Sequence, residues 1–244
     1  MIYLLIPSYN DSDNFSPLLR NIHQKLKSYR YKVIIVDDGS TDDTKRIIRQ
    51  LAHNYPITWI GYKKNRGPGH AFKFGFNYII PKLKQSDTLI TMEADNSSDL
   101  SILKKMVRLA KKHDVVLSSP FASGGKFIKL EVKRRILSEI SSLLDRCIFR
   151  IKGVKTYASF YRAYNPMILK NLLKIYKANL ITENGFSSVV ELLIKLSKLG
   201  GSIYEIPSTL DWSVRRGKSK MKIGKTIVRH LMIYRNYLLG KYSV

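Results

Sequence analysis

Acidic residues follow three short apolar stretches in the first hundred residues. The stretch 2–6 runs on to Asp11, the stretch 33–36 to Asp37 and Asp38, and the stretch 88–92 to Glu93 and Asp95. In an open parallel sheet, ligands bind beyond the carboxyl ends of the strands. Carboxylates gathered at one edge repel each other unless a cation or a ligand neutralises them. The pattern therefore predicts a ligand site at this edge.

The spacing of Glu93 and Asp95 predicts a metal site. At a strand end, residues two apart face the same side, so both carboxylates can point at one ion. Paired carboxylate oxygens suit Mg²⁺ or Mn²⁺, which proteins commonly share with substrate phosphates. Asp38 could accept hydrogen bonds from a ribose or a base, and the turn with Gly67 and Gly69 could offer backbone N–H groups to a nucleotide.

Each of these features also has a purely structural interpretation. Residues 37–40 could form a turn that leads into a helix cap. An acidic pair separated by one residue is common on protein surfaces, and a Gly-Pro-Gly sequence is often only a turn. It is the combination of the three clusters, in this order, that favours a functional site.

The elements that must position these residues alternate in type. Strands are predicted at 2–6, 33–36, 57–60, 88–92 and 115–118, and helices at 16–29, 41–53, 70–83 and 100–112. Alternating strands and helices predict right-handed βαβ units and a mostly parallel α/β sheet flanked by helices.

The pattern changes after residue 120. Residues 131–151 have the apolar spacing of a long amphipathic helix, and its apolar face places Cys147 in the core. A strand is predicted at 157–164 and another at 203–206, with helices at 166–176 and 186–199 and a basic, apolar tail at 223–239. Without repeats or a clear linker, we expect a single domain over 1–244, with a first half, 1–120, and a second half, 121–244.

Charge is the main compositional signal. The 43 basic and 18 acidic residues give a formal net charge of +25, and residues 101–244 hold 29 of the basic residues but only 8 of the acidic ones. Such a charge attracts a polyanion: nucleic acid, an anionic membrane surface or a phosphorylated substrate. The 44% hydrophobic content excludes a disordered chain, and a lone cysteine excludes an internal disulfide.

No apolar stretch is long enough to span a membrane, and the first residues lack the charged region and cleavage site of a signal peptide. We therefore expect a cytoplasmic protein, peripheral on the cytoplasmic face of a membrane, because basic amphipathic helices fit anionic lipid head groups. A solvated basic surface on a core helix is the alternative.

The sequence resembles the glycosyltransferase family 2 enzymes of GT-A fold, and within them the dolichol-phosphate mannosyltransferase-like and polyprenyl-phosphate glycosyltransferases. The matching segments occur in family order between residues 2 and 225. They are Ile6-Pro-Ser-Tyr-Asn10, Val36-Asp-Asp-Gly-Ser40, Asn65-Arg-Gly67, Glu93-Ala-Asp95, Ser159-Phe-Tyr-Arg162, Glu191 with Glu205-Ile-Pro207, and Gly217-Lys-Ser-Lys220.

The resemblance implies a role for each matching residue. Glu93, Ala94 and Asp95 would occupy the Asp-x-Asp motif that holds the metal and the donor diphosphate. Arg215 and Lys220 would bind phosphate groups. The residues that would line the nucleotide pocket are Pro7, Tyr9, Asp11, Val36 and Asp38. The resemblance also implies that 1–120 is the nucleotide-sugar-binding half and that 121–244 is the acceptor- or membrane-facing half.

Four positions depart from the family pattern. Glu93 replaces the usual first Asp, and Ser97 stands where a Gln is usual. Pro120 stands where an Arg is often found. Val214 replaces an Arg three residues before Gly217, so either Arg215 or Arg216 would take over its contact with phosphate.

The resemblance implies an inverting, metal-dependent sugar transfer from a nucleoside diphosphate sugar to a polyprenyl phosphate. A second member of the same class would extend a cell-surface glycan; with such an alcohol acceptor, Glu191 could act as base or orient the acceptor. The structural alternative for Glu191 is a partly buried position on its helix.

Two further alternatives are a basic nucleic-acid-binding protein and a non-catalytic family member. Nucleic acid is not the expected partner, because the basic residues are not interleaved with aromatic residues that could stack on bases. A member that has lost catalysis is an alternative because Glu93 replaces the usual Asp.

Overall fold

The computed structural model describes residues 1–217 and 219–243. Its strands are β1 (Ile2–Ser8), β2 (Tyr31–Asp38), β3 (Ile57–Tyr62), β4 (Thr88–Thr91), β5 (Val115–Ser119), β6 (Lys126–Ile128), β7 (Arg162–Tyr164), β8 (Ile203–Pro207) and β9 (Thr209–Asp211). Its helices are α1 (Ser12–Leu26), α2 (Thr44–Leu51), α3 (Pro68–Ile79), α4 (Leu103–Leu109), α5 (Val132–Phe149), α6 (Pro166–Tyr176), α7 (Ser188–Lys198) and α8 (Ile223–Leu238).

The main sheet has seven strands in the order β3-β2-β1-β4-β7-β5-β8. All neighbours pair in parallel except β7, which is antiparallel to both β4 and β5. Strands β6 and β9 form a separate parallel pair. The mostly parallel α/β architecture predicted from the alternating pattern is therefore confirmed.

Successive residues of the central strands enter two cores, one on each side of the sheet. In β1, Leu5 packs with α3, α6 and α7 on one side. Its neighbours Leu4 and Ile6 pack with α1 and α4 on the other side. Because both faces are covered, the strands are continuous apolar runs. The polar residues follow the carboxyl ends of β1, β2 and β4, beyond these two cores.

Four elements differ clearly from the sequence predictions. Only 162–164 of the predicted segment 157–164 is a strand, and the short strands β6 and β9 were not predicted. Helix α2 begins at Thr44, because Ser40 and Thr41 bond to Asn10 and Asp42 accepts from the Thr44 amide. These bonds hold residues 40–43 in a turn before the helix.

The apolar face of α5 lies outside the core. Ile140 is 50% exposed and Leu143 is 54% exposed, and Cys147 is also exposed, so its predicted place in the core is wrong. The buried face carries Ser142, Asp145 and Phe149 instead. Among the described residues, no helix is both long enough and apolar enough to cross a bilayer.

Arg162 is the largest fully buried side chain among the described residues. Its guanidinium donates to the carbonyl oxygens of Ser159 at 2.7 Å, Val189 at 2.8 Å and Tyr157 at 2.6 Å. The arginine of the segment 159–162 thereby ties β7 to the start of α7 and to the segment before β7.

We predict that Arg162→Ala lowers the free energy of unfolding by about 3 kcal/mol or more, because three buried carbonyls lose their donor. Urea unfolding followed by circular dichroism measures this change. The exposed Arg20 on α1 provides the control, since Arg20→Ala should change stability by less than about 0.5 kcal/mol. Equal effects of the two substitutions would contradict the structural role of Arg162.

Candidate active site

A cleft of about 730 Å³ opens at the carboxyl ends of β1, β2 and β4. Its walls come from both halves of the chain. The predicted site residues that line it are Pro7, Tyr9, Asp11, Asp38, Glu93, Ala94, Asp95, Arg215 and Lys220. The structure therefore brings together nine of the eleven residues that the sequence nominated.

The first cluster pairs Asp11 with Lys220. The Lys220 Nζ lies 2.5 Å from the Asp11 Oδ1 and donates to the carbonyl of Asn10 at 2.7 Å. The other carboxylate oxygen of Asp11 accepts from the Tyr9 amide at 3.1 Å. Asn10 has φ of 53°, a conformation that Asn tolerates, and it turns the chain sharply after β1. Residues 209 positions apart thus neutralise each other in the cleft.

The second cluster is a loop clamp built on Asp38. Its two carboxylate oxygens accept from the backbone amides of Arg66 at 2.7 Å and Gly67 at 2.8 Å. Burial raises the pKa of Asp38, and these backbone hydrogen bonds oppose that rise. Gly67 has φ of 98°, where a side chain would be strained, so the Gly of the turn is required by backbone conformation.

A second loop supports this turn from behind. The Gly69 amide donates to the Asn184 carbonyl at 2.9 Å. A Cβ on Gly69 would collide with the carbonyl oxygen of Glu183. The glycines at 67 and 69 therefore permit the close approach of residues 182–185, as well as the turn itself.

The third cluster contains the predicted metal ligands. Asp95 accepts from the Ser97 amide at 3.0 Å and from the Ser97 hydroxyl at 2.6 Å. The Arg215 guanidinium lies 3.3 Å from the other oxygen of Asp95. Burial, with the charge of Asp95 as the second cause, raises the pKa of Glu93 to about 8. Without a cation, the Glu93 carboxyl group is therefore costly to ionise.

This pair fits a hard divalent cation. Two carboxylates face one cleft, and burial together with the charge of Asp95 makes Glu93 costly to ionise, a cost that a bound cation would offset. Among residues 1–217 and 219–243, no group of three or more His, Cys, Asp or Glu side chains could hold a metal ion. A cation at Glu93 and Asp95 would thus need further oxygen ligands from a bound molecule or from water.

The structure distinguishes Arg215 from Arg216. Arg215 lines the cleft, whereas the Arg216 amide and guanidinium bond to Asn14 and to the Asp13 carbonyl outside it. Arg215 also lies over the ring of Trp212, 5.1 Å from its centroid. The Nε atoms of Arg215 and Trp212 are buried without a hydrogen-bond partner within the described part of the chain, so both can donate to a ligand.

Sequence reasoning missed two residues of this wall. The guanidinium of Arg134, on α5, also lies over the ring of Trp212, 5.2 Å from its centroid. Both residues line the cleft. Arg134 could have been found as a basic residue opposite the apolar face of its helix. Trp212 follows a three-residue strand, and nothing in the sequence around it indicates that it lines a cleft.

Two nominated residues lie outside the cleft. The Val36 side chain belongs to the core under α3, because side chains alternate along β2. Val36 therefore does not line the pocket.

Glu191 is fully buried in α7, and its carboxylate is committed to other groups. It accepts from the Thr182 amide and hydroxyl, the Glu183 amide and the Lys195 ammonium. The position of Glu191 therefore agrees with a structural role on its helix and not with a base in the cleft. Glu191 fixes residues 182–185, which in turn pack on Gly67 and Gly69.

The sequence of this chain is similar to those of known glycosyltransferases. The family model described as Glycosyl transferase family 2 matches residues 3–173. A dolichol-phosphate mannosyltransferase of Pyrococcus furiosus is 29% identical over 238 residues, which cover 96% of this chain and 63% of that protein. An undecaprenyl-phosphate mannosyltransferase of Micrococcus luteus is 26% identical over 233 residues, 93% of this chain and 91% of that protein. The chain thus spans less than two thirds of the Pyrococcus relative.

Solved structures share the fold. Glucosyl-3-phosphoglycerate synthase from Mycobacterium tuberculosis, in complex with Mn²⁺, uridine diphosphate and glucosyl-3-phosphoglycerate, has a TM-score of 0.64 at 16% identity, covering 98% of this chain and 78% of that one. A mannosyltransferase from Pyrobaculum calidifontis, in complex with GDP-Man and Mn²⁺, has a TM-score of 0.61 at 15% identity, covering 98% and 64%. These similarities confirm the GT-A fold that the resemblance implies.

We predict that Glu191→Gln lowers the free energy of unfolding by about 2 kcal/mol, because the amide turns N–H groups toward an ammonium and backbone amides. Hydrogen exchange should also become faster at residues 182–185. Glu131→Gln is the control, since that carboxylate is 76% exposed and should contribute less than about 0.5 kcal/mol. Unchanged exchange in the Glu191 variant would contradict the supporting role.

Proposed function

This chain belongs to glycosyl transferase family 2, and from that membership we propose that it transfers a sugar from a nucleoside diphosphate sugar to a polyprenyl phosphate, with inversion at the anomeric carbon. The observation that carries the proposal is the convergence of Glu93, Asp95 and Arg215 in one cleft. Acidic and basic groups side by side suit a diphosphate that is bridged by a cation. The similarity to a dolichol-phosphate mannosyltransferase of Pyrococcus and an undecaprenyl-phosphate mannosyltransferase of Micrococcus supports the acceptor class.

The donor half of the cleft would hold the nucleotide. Pro7, Tyr9 and Asp38 line it beside the Gly67 turn, and Asp11 and Lys220 meet at its edge. Because Asp38 is committed to the Arg66 and Gly67 amides, its main contribution is to fix the shape of this pocket. The remaining carboxylate lone pairs could still accept from a ribose or a base.

The departure of the diphosphate is the step that the charges would assist. A divalent cation, Mg²⁺ or Mn²⁺, on Glu93 and Asp95 would supply a Lewis acid for the charge that builds on the leaving group. Arg215 is held between Asp95 and Trp212 and can donate its unpartnered Nε–H to a diphosphate oxygen. Preorganised donors of this kind stabilise the transition state without reorganisation.

A phosphate acceptor agrees with the absence of Glu191 from the cleft wall. An alcohol acceptor needs a general base, whereas a phosphate monoester is already anionic and attacks the anomeric carbon directly. Arg134 and Lys222 line the acceptor side and are suited to an anion. An acceptor held opposite the leaving diphosphate would give inversion in a single displacement.

The basic second half of the chain would bring the enzyme to its acceptor. Residues 215–235 include 8 basic and no acidic residues. Each basic residue near an anionic bilayer adds about 1 kcal/mol of attraction. We therefore place the protein at the cytoplasmic face of a membrane, as a peripheral protein.

We predict that turnover requires Asp95. Purified protein with UDP-, GDP- and dTDP-sugars, Mg²⁺ or Mn²⁺ and a short polyprenyl phosphate should release nucleoside diphosphate, and Asp95→Asn should reduce kcat by about 100-fold or more. Asp43→Asn is the matched control, because Asp43 is exposed and, among the described residues, its ion pair is with the exposed Arg46.

The same assay separates the alternatives. Turnover that is indifferent to the lipid phosphate, but rises with an oligosaccharide, would favour the glycan acceptor. An absence of both turnover and nucleotide binding would favour a non-catalytic member. A salt-sensitive nucleic-acid complex that survives Asp95→Asn would favour the nucleic-acid alternative.

We predict that adjacent arginines differ in their effect. Arg215→Met should lower kcat by about 100-fold, because the leaving diphosphate loses a preorganised cation. Arg216→Met should change kcat by less than about threefold, since its guanidinium bonds outside the cleft. Steady-state kinetics at saturating donor measures both variants, and the reverse ranking would assign the phosphate contact to Arg216.

A further inference from the structure

Another cavity lies outside the cleft, between α2 and the edge strand β3. It has a volume of about 420 Å³, and the lining residues that bear charge or a polar ring are Asp37, Lys45, Arg49, Trp59 and Lys63. None of these residues lines the candidate active site. Asp37 and Asp38 are neighbours on β2, and only Asp38 lines the cleft. Because side chains alternate along a strand, the cavity lies on the opposite face of the sheet from Asp38.

Helix α2 and strand β3 bring these side chains together. Lys45 and Arg49 are four residues apart on α2, so they lie on the same side of the helix. The Arg49 guanidinium lies over the ring of Trp59, 5.2 Å from its centroid. A Cβ on Gly61 would lie 2.5 Å from the carbonyl oxygen of Asp37. Glycine is therefore required where β3 passes Asp37 at the cavity wall.

Positive charge predominates around this cavity. Among the described residues that line it, three are basic and one, Asp37, is acidic. The Asp37 Oδ2 lies 3.8 Å from the Lys45 Nζ, and its other oxygen accepts from the Ser40 amide at 2.9 Å. This buried carboxylate is therefore satisfied from both sides. Within the described chain, Arg49 and Lys63 form no ion pair with a carboxylate, so both remain available for an anion.

Trp59 adds a hydrogen-bond donor to the same cavity. Its Nε1 atom is buried and has no hydrogen-bond partner among residues 1–217 and 219–243. Buried N–H groups in proteins are nearly always paired, so this donor indicates that an acceptor belongs here. A phosphate group offers acceptor oxygens together with the negative charge that Arg49 and Lys63 would neutralise. A water molecule would satisfy the indole but would leave the two cations without a counter-ion.

We propose that the cavity between α2 and β3 binds a phosphate group through Arg49, Lys63 and the indole N–H of Trp59. The planar guanidinium suits two phosphate oxygens at once, and the lysine adds a point charge. The volume of about 420 Å³ admits a small phosphate monoester as well as inorganic phosphate. The site is separate from the cleft, so its occupation requires neither a nucleotide sugar nor a divalent cation.

The two tryptophans of the chain allow the site to be observed directly. Trp59 lines this cavity and Trp212 lines the cleft, so Trp212→Phe leaves Trp59 as the source of tryptophan fluorescence. Inorganic phosphate or glycerol phosphate, added in EDTA at constant ionic strength, should change this fluorescence saturably, whereas chloride should not. Tighter binding of glycerol phosphate would identify a monoester as the ligand, and equal binding would identify free phosphate. The lack of a saturable response to either would overturn the proposal.

Two arginines of α2 provide a matched pair of variants. Arg49→Gln should weaken phosphate binding by about tenfold, because a charge-assisted hydrogen bond is lost. Arg46→Gln removes the same charge from the same helix, but Arg46 pairs with Asp43 at 2.7 Å and does not line the cavity. It should change the affinity by less than about twofold. Equal losses in the two variants would assign binding to the net charge of +25 and refute the site.

Calorimetry on protein that retains Trp212 provides an independent measurement. Trp59→Phe should weaken phosphate binding by about threefold, because the ring remains beside Arg49 but the N–H is lost. An unchanged affinity would contradict the proposed indole contact. Circular dichroism and urea unfolding would verify that each variant is folded.

A substitution in the cleft separates this site from the proposed active site. Adding Arg215→Met to the Trp212→Phe protein should leave the fluorescence response to phosphate unchanged, since Arg215 lines the cleft and not this cavity. Loss of the response would place the anion in the cleft and refute the proposal. A wild-type protein that binds phosphate here but transfers no sugar would reject the proposed function and leave this site standing.

Discussion

Repulsion between carboxylates at one sheet edge is the constraint that organises the molecule. Asp11, Asp38, Glu93 and Asp95 all face the cleft, and three of them are offset in different ways. Lys220 neutralises the first, backbone amides satisfy the second, and Arg215 approaches the fourth. Glu93 forms no ion pair within the described residues, and burial, with the charge of Asp95 as the second cause, raises its pKa. A site that is balanced except for one carboxylate is suited to a divalent cation.

The groups that neutralise these carboxylates come from distant parts of the chain, so the structure of the site depends on both halves. Glu191 orders residues 182–185, and their backbone packs against Gly67 and Gly69. The Glu183 carboxylate also binds Arg229 of α8 at 2.6 Å. A continuous path of contacts therefore joins the turn at Gly67 to helix α8. Substitutions at positions along this path should affect both ends of the cleft.

The sequence predicted the elements whose signals are local. Apolar runs located β1, β2 and β4, and the acidic residues after them located the cleft, since strand ends in a parallel sheet share an edge. Strands β6 and β9 escaped prediction because three residues hold too little periodicity. The direction in which the apolar face of α5 points was misjudged for a physical reason. Amphipathic spacing tells which residues share a side, but only tertiary contacts, such as those of Asp145, decide which side faces inward.

The placement of β7 sets the order in which the sheet can be completed during synthesis. Strands β4 and β5 are neighbours in the chain, yet each pairs with β7 and not with the other. A nascent chain that ends before residue 162 therefore carries two unpaired inner edges, and such edges recruit other strands. The buried Arg162 at the start of β7 joins those edges to α7, which is made later still. Translation must therefore pass well beyond β1, β2 and β4, which carry the candidate site, before the sheet that supports them is complete.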